Sequence, residues 1–282
     1  MRKLCVFFVL LATSASAQWL SHPTPGAPRT GDGKVDLAAR TPRTSDGKPD
    51  LSGVWHVEPT TMDEWKRLLG KDLDLVTATS PLGMETTTIS KYALSVLMDF
   101  KPEDAPMKPE TAKIFGERAQ SLGRDLPSTY CLPIGIPLTY LVSEVHKVVQ
   151  TPGLIVILYE ADGTHRQIYT DGRKAPKDPE PMWLGYSTGR WEGDALVVDT
   201  VGFNDKSWLD AFGHPHSDAL HLVERFRRRD FGHLDMAITI DDPKMYTKAF
   251  SFKVTQQLVP DSDILESFCN ENEKDRPRMG LK

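Results

Sequence analysis

The chain has 282 residues, and its 39 acidic and 34 basic side chains give a formal net charge of −5 at pH 7. An acidic protein lacks the basic surface that binds a phosphate backbone, so this composition argues against a nucleic-acid partner. The length suits one large domain, or one domain that carries an insertion.

The first 17 residues have the pattern of an export signal. Arg2 and Lys3 precede the apolar run LCVFFVLLA, and the small residues ASA end at Ala17. The run is too short to cross a bilayer as a mature helix, and no later stretch approaches the roughly 18 apolar residues that a membrane helix needs. We therefore expect cleavage after Ala17, no membrane insertion, and a periplasmic or secreted protein.

Cleavage would leave two cysteines, Cys131 and Cys269. An even pair in an oxidising compartment is a disulfide candidate, and we expect these two residues to pair. Two buried free thiols are the alternative. A bridge across so long a loop stabilises a fold by up to roughly 5 kcal/mol on the chain-entropy model.

Residues 18–50 are predicted to form an extended lead-in, because they are rich in Pro, Gly, Thr and Asp and poor in large apolar side chains. A short repeat occurs in this segment, as PRTGDGKVDL at 28–37 and PRTSDGKPDL at 42–51. Both copies lack the acidic ladder and the closing Glu of a calcium-binding loop. We interpret them as two Asp-Gly turns that lay the segment along the surface of the domain.

A helical insertion is predicted directly after the first strand, which is LSGVWHVEP at Leu51–Pro59. Three helical segments follow, at Met62–Gly70, Ile89–Phe100 and Lys108–Gly123. Together they occupy about residues 60–125 and form an insertion in, or a cap on, a β domain.

From about Leu138 the pattern is that of short strands joined by tight turns, two of which are marked by Asp162-Gly163 and by Glu192-Gly193-Asp194. Helices do not alternate with these strands, which argues against a parallel sheet with crossover helices. We predict a mainly β domain over residues 51–282. Its antiparallel meander closes into a barrel of about eight to ten strands, and closure hides the sheet edges.

Alternation of side chains predicts which face of a strand is buried. Two sets of apolar residues each share a face of their strand: Leu234, Met236, Ile238 and Ile240, and Phe250, Phe252, Val254 and Leu258. On an earlier strand His165 and Arg166 alternate, so only one of them can face inward. A barrel of this size can hold one small ligand in its mouth.

The motif Gly53-Val54-Trp55 begins the first strand, and the later half of the meander contains GRWEGDALVVDTVGFNDKSWLD and GHPHSDALHLVERFRRRDFGH. The first motif resembles that of lipocalin-like (calycin) barrels. The two later stretches resemble a large, mostly uncharacterised family of exported bacterial proteins, and the similarity runs from about Thr44 to Asp275. Together with the lipocalin-like fold of phenolic acid decarboxylases, this resemblance implies a cofactor-independent lyase of lignin-derived aromatic compounds.

The second of these stretches, residues 213–233, holds four of the eight histidines of the chain. The spacing of His214, His216 and His221 partly resembles a cupin metal site, and imidazoles bind zinc or iron(II). Pro215 separates the first pair, and a second cupin motif is not visible in the sequence. A His-ligated metal-dependent enzyme is therefore kept as an alternative.

Metal-free acid–base chemistry is the leading interpretation, because histidine is the commonest proton-transfer side chain near neutral pH. His221 and Arg225 share one strand face, about 13 Å apart, and would meet a ligand if that face pointed into the barrel. Arg225 would then hold a substrate carboxylate by a two-pronged contact, while His221 or His216 takes a proton. Tyr186 and Asp210 are the supporting candidates.

The sequence contains no serine-hydrolase elbow, phosphate loop, dinucleotide fingerprint or Cys-x-x-Cys motif, and we expect no organic cofactor. The leading hypothesis is an exported lyase, either a decarboxylase or a formaldehyde-releasing enzyme, whose partner is a small phenolic or lignin-derived aromatic substrate. A non-catalytic lipocalin-like protein that binds a small molecule in the periplasm is the alternative from another class. The oligomeric state, including a homodimer, is left open.

Overall fold

The computed structural model describes residues 22–70, 88–121 and 123–269, and the predicted export signal with its cleavage site lies outside these ranges. Within them, nine strands form a closed barrel, which confirms the mainly β prediction. The strands are β1 Gly53–Val57, β2 His146–Thr151, β3 Leu154–Tyr159, β4 His165–Tyr169, β5 Tyr186–Glu192, β6 Ala195–Val201, β7 His221–Arg228, β8 His233–Asp241 and β9 Phe250–Leu258.

The described α-helices lie between β1 and β2, as predicted: α1 Met62–Leu69, α2 Lys91–Leu94 and α3 Pro109–Gln120. The second is much shorter than the predicted segment Ile89–Phe100. The amide of Val96 donates to the carboxylate of Asp210 at 2.8 Å and so leaves the helical pattern. In the described part of the chain, no helix is long and apolar enough to cross a membrane.

Neighbouring strands of the barrel follow the order of the chain, and β9 closes on β1 through the pair Trp55↔Leu258. All neighbours are antiparallel except β4 and β5. These two strands are parallel and pair only at Ile168↔Ser187 and Tyr169↔Thr188, where the sequence led us to expect an antiparallel meander throughout. For β5 to run parallel to β4, the chain must return to the end of the barrel at which β4 begins, and residues 170–185 make this return.

The predicted inward faces of the last two strands are confirmed. All eight apolar residues assigned to them are buried, with at most 8% of any residue exposed. The strictly alternating burial of β8 and β9 shows that one face of each strand packs into the barrel.

One end of the barrel, where β7 turns into β8, is crossed by the lead-in, and we call it the lead-in end. The amide of Phe231 donates to the carbonyl oxygen of Ala39, and that of Gly232 donates to Leu37, both at 2.7 Å. A Cβ on Gly232 would lie 2.5 Å from the Cβ of Leu37, so this close approach requires glycine. The lead-in is therefore held to the barrel by its backbone.

Arg228, the last residue of β7, closes the lead-in end from within. Its guanidinium lies 4.8 Å from the centre of the Trp55 ring, where a cation is attracted to the aromatic face. It also donates to the carbonyl oxygens of Asp50 at 2.6 Å, Ser52 at 3.2 Å and Phe231 at 3.1 Å. Burial lowers the pKa of Arg228 to about 10, which leaves the side chain charged at neutral pH.

The repeat in the lead-in forms two similar turns on the surface. In each, the Arg donates to the carbonyl oxygen of the Gly in the same turn. Arg29 also binds Asp261 at 2.7 Å, and Arg43 binds both carboxylate oxygens of Asp194 at 3.0 and 2.7 Å. The interpretation of the repeat as surface turns is confirmed, and each turn is fastened to the barrel by one arginine.

The helical insertion covers the opposite end of the barrel. The amide of Ala211 donates to the carbonyl oxygen of Ala93 at 2.8 Å, and that of Lys108 donates to Met245 at 3.1 Å. The void found inside the barrel has a volume of about 10 Å³, which is room for no more than one water molecule. Side chains of the described residues fill the interior, and these residues leave no space for a ligand there.

Cys131 and Cys269 are joined by a disulfide with an S–S distance of 2.01 Å, which confirms the predicted pair. The bond fastens the segment after β9 to the segment before β2. Lys147 on β2 holds the same C-terminal segment through both carboxylate oxygens of Asp263, each at 2.7 Å.

We expect Arg228→Met to lower the free energy of unfolding by about 2–4 kcal/mol, because several buried carbonyl oxygens lose their donor. The matched control is Arg227→Met, since Arg227 is exposed on the outer face of the same strand. That control should change the free energy of unfolding by no more than about 0.5 kcal/mol. Urea unfolding of both variants measures the difference, and equal values would contradict the role given to Arg228.

Candidate functional site

The face of β7 that carries His221 and Arg225 points out of the barrel, so the expectation that these residues meet a ligand inside it is wrong. His221 is 40% exposed in its side chain and lies 3.0 Å from Asp199 on β6. Arg225 is exposed and binds Glu192 on β5 at 2.7 Å. Each of these exposed ion pairs contributes at most about 1 kcal/mol to the free energy of unfolding. The two pairs do not enclose a site.

The inward face of β7 instead carries Leu222, Glu224, Phe226 and Arg228, all buried. Charged residues occur on both faces of this strand, so the alternation does not by itself identify the inner one. The inner face is decided by Glu224, whose charge has a partner inside the barrel.

Asp210 and His214 fasten the loop before β7 to the helical insertion. His214 Nδ1 lies 2.5 Å from a carboxylate oxygen of Asp210, and its ring stacks on Phe115 of α3 at 4.1 Å. Asp210 also accepts from the amides of Val96, at 2.8 Å, and Gly213, at 3.0 Å. Asp210 is 0% exposed and its acceptors are engaged, so the structure places it in the packing of the loop.

His216 forms a buried pair with Ser207. The hydroxyl of Ser207 lies 2.8 Å from Nε2, and Nδ1 lies 3.1 Å from the carbonyl oxygen of Ser217. Nδ1 must carry the proton that this carbonyl accepts, so Nε2 accepts from Ser207. Burial lowers the pKa of His216 and keeps the ring neutral.

A Ser–His pair is the arrangement of a nucleophile and its base, but this pair is closed off. Ser207 is 0% and His216 2% exposed. A Cβ on Gly135 would lie 2.5 Å from Ser207, so the backbone packs directly against the hydroxyl-bearing side chain. No room is left for a substrate carbonyl at this position.

The alternative metal site is also not formed. His214 and His216 are buried with separate partners, and His221 lies on the outer surface of the barrel. In the ranges that the structure describes, no three His, Cys, Asp or Glu side chains are grouped to hold a metal ion.

The middle of the barrel holds a buried polar network centred on Arg166 of β4. Its guanidinium forms a two-pronged ion pair with Glu224, at 3.0 and 2.5 Å, and both side chains are at most 1% exposed. The remaining donors bind Tyr140 at 2.7 Å, Ser187 at 2.9 Å and Thr200 at 2.7 Å. All five groups satisfy one another, so this network is structural and offers no vacant donor to a ligand.

An open cleft lies in the barrel wall outside this network, along the parallel seam between β4 and β5, and we call it the seam cleft. Its volume is about 560 Å³. It is lined by Pro133, Gly163, Thr164, His165, Arg166, Gln167, Tyr169, Met182, Trp183, Leu184, Gly185, Tyr186 and Ser187.

The seam is open because the segment that leads into β5 does not pair with the first half of β4. This segment, KAPKDPEP at 174–181, is rich in proline, which cannot donate to a sheet ladder. The chain then passes Gly185 in a left-handed conformation, with φ of 62°. A Cβ there would lie 2.7 Å from the side chain of Thr200, so the turn depends on glycine.

The two walls of the seam cleft combine aromatic rings with polar groups. Tyr169 and the predicted site residue Tyr186 stack with ring centres 5.3 Å apart. The guanidinium carbon of Arg173 lies 4.0 Å from the centre of the Tyr169 ring. His165 and Trp183 line the cleft, and neither side chain makes a hydrogen bond with any described residue. Both therefore offer polar groups to a molecule in the cleft.

Of the predicted site residues, only Tyr186 lies in the seam cleft. His216 and Asp210 are buried, and His221 and Arg225 are on the outer wall of β5–β7. Two features of the sequence point weakly to the cleft: its proline-rich loop, and the alternation of His165 and Arg166. The parallel pairing of β4 with β5, which opens the cleft, cannot be recognised from any local sequence pattern.

Comparison with known proteins leaves the site to be interpreted from its geometry. No protein-family model, no curated protein and no solved structure matches the chain.

Two buried histidines make stability depend on pH. Burial lowers the pKa of His146 from 6.5 to about 3 and shifts that of His216 in the same direction. Below about pH 6.5 the unfolded chain binds a proton at His146, and the folded chain does not until about pH 3. As the pH falls through this range, the free energy of unfolding decreases by about 1.4 kcal/mol per pH unit because of His146, and His216 acts in the same direction.

We expect His146→Phe to reduce this slope by about 1.4 kcal/mol per pH unit between about pH 6.5 and about pH 5, above the range of ordinary carboxylates. Phe keeps a planar ring beside Tyr140, which His146 contacts at 5.3 Å. Urea unfolding at several pH values gives the slopes. The same slope in the variant and the unchanged protein would contradict the assignment of His146 as a neutral buried ring.

Proposed function

We propose that the protein is an exported binding protein that takes up a small aromatic acid in the seam cleft. The observation that carries this proposal is an open cleft of about 560 Å³ with three aromatic side chains, Tyr169, Trp183 and Tyr186, and unpartnered polar groups. Ligand sites of proteins are clefts of about 300–1,000 Å³ with mostly apolar walls and a few polar groups that orient the ligand.

The chemistry of the cleft changes along β4. Tyr169 and the stacked Tyr186 form an aromatic end, and His165 lies four residues away on the same outward face. That separation corresponds to about 13 Å along a strand, which is the length of a compound with one or two aromatic rings. The rings of such a ligand would stack near Tyr186, and its carboxylate would meet the imidazole of His165 and the amide of Gln167.

Binding accounts for the geometry better than the lyase reaction expected from the sequence. A general base must come within hydrogen-bond reach of the proton that it removes. His216 is enclosed, and His221 and Arg225 lie on another part of the wall, so the residues assigned to catalysis do not share a site. The aromatic lining supports the same class of ligand that the resemblance implied.

The experiment is isothermal titration calorimetry with two phenolic acids, vanillic acid and ferulic acid. We expect Trp183→Ala to weaken binding about tenfold or more, because it removes an aromatic wall. Trp183→Phe keeps an aromatic ring and should bind within a few-fold of the unchanged protein. Trp191→Phe, at a different opening of the barrel, is the control and should bind these acids normally.

The proposal is refuted if neither acid binds. It is also refuted if the Trp183→Ala variant binds with the same affinity as the unchanged protein. The incubated samples are also analysed for carbon dioxide. Its release from either acid would replace binding by the lyase function, with His165 as the imidazole nearest to the ligand.

A further inference from the structure

A second cleft opens at the lead-in end of the barrel, between the second turn of the repeat and the β2–β3 hairpin, and we call it the end cleft. Its volume is about 500 Å³. It is lined by Thr44, Ser45, Asp46, Lys48, Gln150, Thr151, Pro152, Gly153, Ile155, Thr170 and Trp191.

Trp191 is the aromatic side chain of the end cleft. It packs against the core while remaining partly exposed. Its indole N–H has no hydrogen-bond partner among the described residues. The only buried side-chain N or O atom without a partner in those ranges is Gln256 Oε1, so the indole N–H reaches solvent. The cleft therefore presents an aromatic ring together with a free donor.

Polar groups without partners surround this ring. The hydroxyls of Ser45 and Thr170 and the ammonium group of Lys48 make no hydrogen bond with any residue in the described ranges. The charge of Lys48 is balanced by Asp46, whose carboxylate accepts from Thr44. The lining is thus rich in donors and acceptors but carries no net charge.

The fastening of the lead-in keeps the cleft in place. Arg43 binds both carboxylate oxygens of Asp194 and so ties the second turn to the β5–β6 turn, directly after Trp191. The first turn of the repeat is fastened in a similar way, with Arg29 bound to one carboxylate oxygen of Asp261. Only the second turn, however, contributes residues to the end cleft.

We propose that the end cleft binds a neutral saccharide, with one face of a pyranose ring on Trp191. A pyranose has an apolar face of C–H groups, which packs on an indole ring, and a rim of hydroxyls, each of which both donates and accepts hydrogen bonds. Ser45, Lys48 and Thr170 meet that rim. The balance of Asp46 and Lys48 gives an anionic or cationic ligand no electrostatic advantage.

The test is calorimetric titration with three neutral trisaccharides, cellotriose, xylotriose and mannotriose. We expect at least one to bind, and we expect Trp191→Ala to weaken that binding about tenfold or more, with a smaller loss in Trp191→Phe. If Trp191→Ala does not fold, the loss is measured on Lys48→Ala and Asp46→Ala, which alter only the surface turn.

The first turn of the repeat supplies matched controls. Asp32→Ala and Lys34→Ala make the same chemical changes in a turn outside the cleft, so both should bind the saccharide as well as the unchanged protein does. Trp183→Ala should also retain saccharide binding, which separates this site from the seam cleft.

Failure of all three trisaccharides to bind would overturn the proposal, as would equal losses in the first-turn and second-turn variants. Binding of glycine or of the dipeptide Gly-Gly in place of the saccharides would identify a zwitterion site and would also overturn it. Binding of the phenolic acids in the seam cleft is measured on the same samples, so the two proposals can fail separately.

Discussion

The fold depends on one buried ion pair that holds the weakest seam of the barrel from within. β4 and β5 share only two residue pairs, yet Arg166 reaches under the seam from β4 to Ser187 on β5 at 2.9 Å and to Glu224 on β7. Removing one partner of such a pair costs about 3–5 kcal/mol, because the other charge is left buried. With the seam held on the inside, its outer side can remain open as a cleft without opening the barrel.

Much of the architecture could be predicted from the sequence, because each feature rests on local or pairwise chemistry. Alternation of apolar residues defined the buried faces of β8 and β9, and turn residues separated the strands. The cysteine count, together with the expected export, was enough to predict the bond between Cys131 and Cys269. The length of α2 could not be predicted, since its end is set by Asp210, a residue far along the chain.

The candidate site could not be predicted for a related reason. On β7 both faces carry charged residues, and the inner face is decided by the partner of Glu224 on a distant strand. The histidines of residues 213–233 are close in sequence but not in one site, since His214 and His216 lie in a packed loop and His221 lies on the outer wall of the barrel. The seam cleft arises from a parallel pairing, which depends on where a proline-rich return segment re-enters the sheet and not on any single motif.

The disulfide changes the connectivity of the barrel as well as its stability. Strands β2–β9 all lie between Cys131 and Cys269, which are 138 residues apart, so these strands belong to one covalent ring. The lead-in, β1 and the helices are outside that ring and are attached to it at one point of the chain. A single cut by a protease in residues 170–185 would open the ring without releasing a fragment. The part of the barrel before the cut and the part after it would stay joined by the pairing of their strands and by the disulfide.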